Sequence, residues 1–230
     1  MGVMTTAQVA EQLGVSTEAV RKMLSSGRLV DAGKMGQVRL VDSDSVHRYQ
    51  RSPRRVGRIW TQRTAWAALS ILSGDPVDWL STSELWRLRK SLANLDAQDI
   101  SPLARRRADA RRYRAGESTQ KLLSRSLAHT GGSLLADEAV ASNFGLAAGS
   151  ELLDGYARAG FVKEHGKRLG LREDIRGNVI IREADFVEAF SDGRVPLAAV
   201  AVDLYDSGSS RERSAGLAKL EELLDAQRAR

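Results

Sequence analysis

With 230 residues and 42% hydrophobic side chains, the chain is long enough for two or three small domains with real cores, which excludes a protein disordered throughout. It contains no cysteine, so disulfides, thiolate metal sites and thiol redox chemistry are excluded, and a reducing cytoplasm is permitted. The formal charge is +6 and the pI near 9.9, which favours a polyanionic partner. The excess sits in the middle of the chain: six basic against five acidic side chains over residues 1–50, fourteen against six over 51–115, and fifteen against eighteen over 116–230. The opening Met1-Gly2-Val3-Met4 lacks the regions of a signal peptide, and no apolar run approaches the roughly 20 residues of a membrane helix, so a cytoplasmic protein without membrane contact is expected.

In chain order, Thr5 to Leu13 carries apolar residues at helical spacing with Thr5 or Thr6 as cap, and Gly14 ends that helix in a left-handed turn. Ser16 or Thr17 caps a second, amphipathic helix that runs to Ser26. It turns Ala19, Val20, Met23 and Leu24 inward, and Thr17, Glu18, Arg21, Lys22 and Ser25 outward. Two short strands follow, Arg28-Leu29-Val30 and Val38 to Val41, joined by a glycine-bearing turn from Asp31 to Gln37. Asp42 or Ser43 then caps a third helix to Gln50, which returns Val46 and Tyr49 to the core.

The Leu13-Gly14-Val15-Ser16 turn, Gly27-Arg28-Leu29 before the hairpin and the closing aspartate-to-tyrosine helix make this segment resemble the MerR and phage-excisionase group of winged helix-turn-helix domains. The resemblance implies double-stranded DNA as partner, with Ser16, Thr17, Glu18, Arg21, Lys22 and Ser25 on the major-groove helix. Arg28, Lys34, Gln37 and Arg39 would then lie on a wing that holds the backbone or the minor groove. One such helix reads only a few base pairs, so a homodimer on DNA is expected. A domain used only for protein contacts is the bland alternative.

Residues 52–59 read as a basic linker with proline and glycine, whose arginines either follow phosphates or are solvated. Beyond it, 60–115 reads as wholly helical. Trp60 to about Leu72 forms one helix, and Glu84 to Asn94, capped by Ser81 or Ser83, places Leu85, Leu88, Leu92 and Leu95 on one stripe. Leu103 to Arg114 forms a third, with Ser101-Pro102 near its first turn and six arginines over all faces. Trp60, Trp66, Trp79 and Trp86 are expected in the core rather than stacked on bases. Residues 116–230 read as mixed: a helix from Ser118 to Leu127, a break at Gly131-Gly132, a strand over 151–157, a helix from Val162 to Leu169 and a strand from Gly177 to Arg182. Helices from Leu197 to Asp206 and, capped by Ser210, from Arg211 to about Gln227 complete the chain. The fold class is thus mainly α with small β elements (α+β), divided at 1–51, 52–59, 60–115 and 116–230.

A second resemblance follows the linker. The Trp60-Thr-Gln-Arg-Thr-Ala-Trp-Ala-Ala-Leu segment, Arg106-Arg107 to Arg114, Leu171-Arg-Glu-Asp with Gly177-Asn178-Val179, and the stretch from Val200 to Gly208 with Arg211 and Arg213-Ser-Ala-Gly are similar to actinobacterial relatives of AbiEi-type (type IV) antitoxins. This implies a repressor that autoregulates its operon and counteracts a nucleotidyltransferase-like toxin encoded nearby. A stand-alone regulator with a ligand-sensing or dimerising C-terminal part is the alternative, and an excisionase-like DNA-bending protein the third. No catalytic residue, cofactor or metal is expected. Gly131-Gly132-Ser133 lacks a following pair of alternately spaced carboxylates, Asp154 stands alone, and His47, His129 and His165 have no ligand partners at metal spacing. Asp203 and Asp206 are expected to face solvent rather than a basic partner.

Overall fold

In the computed structural model, residues 2–13, 15–25, 27, 29–36, 38–46, 58–149 and 152–229 are described, and the chain forms two compact units, Met1–Val56 and Gly57–Arg230. The first unit is set by two short-range caps. The Thr5 hydroxyl accepts the Gln8 N–H at 3.2 Å while the Gln8 side chain accepts the Thr5 N–H at 2.8 Å, so strand β1 (Val3–Thr5) passes directly into helix α1 (Thr6–Leu13). Ser16 is the second cap: its hydroxyl accepts the Ala19 N–H at 3.2 Å and opens α2 (Thr17–Ser25). Strands β2 (Asp31–Met35) and β3 (Val38–Asp42) complete an antiparallel sheet in the order β1-β3-β2. The Asp42 carboxylate accepts the Ser45 N–H at 3.0 Å to start a helical turn over 43–46. Val9, Ala10, Val20, Leu24, Leu29, Val41 and Val46 close over one another as the core.

Two sequence expectations change in this unit. The first hairpin strand starts at Asp31 and not at 28–30, because Leu29 is drawn into the core, and Lys34 and Met35 pair with Arg39 and Val38 instead of forming a turn. Of the expected turn, Gly36 keeps the left-handed backbone, at φ +61°, that glycine adopts freely. Strand β1, with Val3 opposite Asp42, was not anticipated at all. The expected turn at Gly14, the ends at Ser26 and Arg28, Gln37, the helix beyond Val46 with Tyr49, and linker residues 51–57 lie outside the described residues.

In the second unit, Thr61 caps α3 (Gln62–Ser73), which ends on left-handed Gly74. A Ser81–Glu84 capping box opens α4 (Thr82–Leu92), and α5 covers Ala97–Ala104. The helix expected from Leu103 to Arg114 is replaced by this earlier helix, which holds Pro102 in its interior, and by a strand, β4 (Asp109–Arg114). After β4 come α6 (Glu117–Ser126), β5 (Ala128–His129), α7 (Gly131–Leu134), α8 (Glu138–Asn143) and β6 (Leu153–Arg158). Then follow α9 (Phe161–His165), β7 (Arg172–Glu173), β8 (Val179–Ala184), a 3-10 turn at Glu188–Phe190, α10 (Leu197–Tyr205) and α11 (Ser210–Arg228). Gly131-Gly132 therefore begins a buried helical turn where a break was expected, and Ser209, not Ser210, caps α11.

The strands form one sheet in the order β5-β6-β8-β4-β7, with β6 and β8 parallel and the other pairs antiparallel. Because β4 is inserted between β8 and β7, residues 60–115 and 116–230 share one sheet, and the division expected at residue 115 does not separate them. The period-two alternation gives the sheet two faces. Tyr113, Leu153, Val179 and Ile181 pack with Leu123 and Leu127 on one side. On the other, Tyr156 joins the larger core of Trp66, Leu69, Leu92, Ile100, Phe190, Val200, Leu204 and Leu220. Trp66 is fully enclosed, its ring edge-on to Tyr156 at 4.9 Å. Trp60 and Trp79 pack against the same core, whereas Trp86 is 62% exposed on α4, away from buried Leu88 and Leu92, with Lys90 over its ring at 5.0 Å. The expectation of a core role holds for three of the four tryptophans. The whole is mainly helical α+β, as the sequence implied.

Candidate nucleic-acid interface

Helix α2 divides cleanly. Val20 and Leu24 are buried and Ala19 and Met23 partly so, which leaves Ser16, Thr17, Glu18, Arg21, Lys22 and Ser25 as one exposed polar surface. On it, Arg21 Nη1 lies 3.3 Å from the Glu18 carboxylate, one turn away and well hydrated, a pair weak enough to open for a competing partner. Lys22 makes no ion pair among the described residues. Ser25 is turned back, its hydroxyl donating to the Lys22 carbonyl at 3.0 Å.

On the hairpin, Lys34 and Arg39 stand directly across the strands from each other and are both exposed. Arg39 Nε donates to the Asp31 carboxylate at 2.8 Å. Asp31 is held below the ordinary carboxylate range chiefly by the Gly33 N–H and secondarily by Arg39. Arg39 is thus partly neutralised within the hairpin, whereas Lys34 makes no ion pair among the described residues. The hairpin also exposes Val30, Met35 and Val38. The structure brings Ser16, Thr17, Glu18, Arg21, Lys22 and Ser25 together on one helix face and Lys34 and Arg39 on the hairpin. Arg28 and Gln37 fall outside the described residues.

Residues 3–54 match a family model described as a helix-turn-helix domain. The N-terminal unit is a helix-turn-helix domain. The match spans less than a quarter of the chain, and a domain of this kind points to a DNA-binding regulator. No curated protein and no solved structure matches the chain. Among the described residues no helix is long and apolar enough to cross a membrane, and no group of His, Asp and Glu is placed to hold a metal ion.

Beyond the helix-turn-helix, the second unit holds a buried ion network that sequence reasoning missed. Arg182 donates to both oxygens of Asp154 at 2.8 Å and lies 3.0 Å from Asp203. Arg107 bonds Asp203, Asp206 at 3.1 Å and the Tyr156 hydroxyl at 3.0 Å. Thr130 and Tyr156 donate to Asp203 at 2.6 and 2.9 Å. Asp203 is therefore 1% exposed and not at the solvent face, and Asp154 is not alone. Burial drives the Asp203 carboxyl upward, but the Arg182 and Arg107 guanidinium groups outweigh it and hold Asp203 below the ordinary range, while burial pushes the Tyr156 phenol well up. The available signal was an acid set in the apolar run Ala198 to Leu204, a place where a charge must find a partner. Of the histidines, His129 is bound between the Ser124 carbonyl at 2.7 Å and the Ser133 hydroxyl at 3.1 Å, His165 sets its ring edge-on to Phe161, and His47 is outside the described residues.

Proposed function

We propose that the chain is a cytoplasmic DNA-binding transcriptional repressor, a binding protein rather than an enzyme. It acts as the antitoxin of a toxin-antitoxin pair: it autoregulates its operon as a homodimer on duplex DNA and counteracts a nucleotidyltransferase-like toxin. The observation that carries the DNA-binding part is the face of α2, with Thr17, Arg21 and Lys22 held outward by the burial of Val20 and Leu24. The antitoxin part is supported by the resemblance to AbiEi-type antitoxins, whose quoted segments all belong to the second unit.

The test is growth of cells expressing the adjacent reading frame alone, with the full chain, and with a fragment ending at Val56. Rescue by the full chain and not by the fragment supports the antitoxin role and places it in the second unit. An innocuous neighbour contradicts it. The reading of a stand-alone regulator with a ligand-sensing second unit is favoured by one specific observation, an arginine-lined cleft.

A further inference from the structure

Where α5 gives way to β4, the second unit carries a cleft of about 320 Å³, bounded by the turn after α5, by β4 and β8, and by the end of α10. Arg105, Arg107, Arg111, Arg112 and Arg182 line it with one acidic residue, Asp206, the position of Arg111 falling on the opposite face of β4 from Arg112. The charges are not equivalent. Arg107 and Arg182 are neutralised from behind by Asp203 and Asp154, and Arg111 by Asp109 and Glu173. Asp206 is already held by the Ser101 hydroxyl at 2.6 Å and by Arg107. Among the described residues the least compensated charges are those of Arg105 and of Arg112, whose nearest acid, Asp174, is bonded instead to Arg114 at 2.6 Å. Arg105 makes no hydrogen bond or ion pair among the described residues. Arg112 donates its Nε to the Gly177 carbonyl at 2.8 Å, which fixes the guanidinium in place, and among the described residues its outer N–H groups make no hydrogen bond.

Register explains why the cleft stays open. Ala110 lies opposite Arg182, and Arg112 opposite Ile180, on the sheet face that also carries Asp154 and Tyr156. The small Ala110 side chain leaves the space above β4 unfilled. Two exposed guanidinium groups over a floor of two fixed, buried ones match the oxygens of a phosphate group, since planar arginine donors bind such anions in pairs. A volume at the lower end of ligand pockets suits a small molecule rather than a groove that follows a polymer. We propose that this cleft binds a small phosphate-bearing ligand of the diphosphate class, gripped by Arg105 and Arg112. The inference rests on neither the antitoxin role nor DNA binding.

The test is calorimetric titration of the full chain with sodium pyrophosphate and with ADP at low salt, potassium chloride matching the ionic strength of the blank. Saturable binding is expected, weakened about tenfold or more in Arg105→Ala/Arg112→Ala. Arg106→Ala, exposed in the same turn but outside the cleft, should bind as the unaltered chain does. An unchanged melting midpoint without ligand shows that the double variant is folded. Arg21→Ala should retain full pyrophosphate affinity. The proposal is overturned by absence of saturable binding, by affinity indifferent to the Arg105/Arg112 pair, by loss in Arg21→Ala, or by a pair effect confined to random-sequence nucleic acid.

Discussion

Arg21 and Lys34 are both exposed cations of the helix-turn-helix unit, yet their settings assign them different work. Arg21 projects from the face of α2 with only a weak tie to Glu18, so Arg21→Ala should cost about 1–3 kcal/mol on a cognate duplex and little on random DNA. Lys34, exposed on the hairpin, should instead weaken all sequences alike when replaced by alanine and flatten the salt dependence by about one unit. Fluorescence anisotropy across a salt series checks both, and equal losses on both DNAs would remove Arg21 from base readout. Asp203 is the residue on which the second unit turns. Asp203→Ala would remove the carboxylate shared by two buried arginines, leaving Arg182 only Asp154 and Arg107 only Asp206, and should destabilise by about 3–5 kcal/mol, measured by urea unfolding. Its depressed carboxyl sets the sign of the pH effect. The stabilisation is complete above the ordinary aspartate range and is lost as pH falls through the lower folded value, so the stability difference between the unaltered chain and Asp203→Asn should shrink only in acid. A difference that grew on acidification would contradict this assignment.

At the scale of elements, α10 and α11 cross closely, so that a Cβ on Gly216 would lie 2.4 Å from the Ala201 carbonyl oxygen and 2.6 Å from the Tyr205 nitrogen. Glycine to alanine within an exposed helix is normally stabilising, but here overpacking wins. Gly216→Ala should lower stability by about 1–3 kcal/mol, and a raised melting midpoint would refute the close crossing. The same scale separates what the sequence made legible from what it did not. The Thr5 and Ser16 caps and the Val20–Leu24 stripe are local, so residues three or four apart announce them. Strand β1 has three residues and exists only because β3 pairs with it. The Asp109–Arg114 segment has the composition of an exposed helix, and its partner is Val179–Ala184, far along the chain, so tertiary pairing overrides local preference. The ion network was hidden for the same reason: Arg107 and Asp203 are 96 residues apart.

At the scale of the whole molecule, each unit has its own core and its own polar surface: an exposed helix face in Met1–Val56, and an ion-paired sheet with an arginine-lined cleft in Gly57–Arg230. A fragment of residues 58–230 should therefore unfold cooperatively on its own, followed by circular dichroism, and a gradual, featureless melt would deny it an independent core. The candidate site was legible because a helix-turn-helix is built from local signals, while the cleft is assembled from a turn, two strands and a helix end that only the fold brings together. The central claim is that α2 reads DNA, and it is tested most directly by selecting bound duplexes from a random-sequence library with the full chain and with Arg21→Ala. The account predicts an enriched motif that the variant loses or relaxes at one position, whereas absence of enrichment, or the same motif from both proteins, would contradict it.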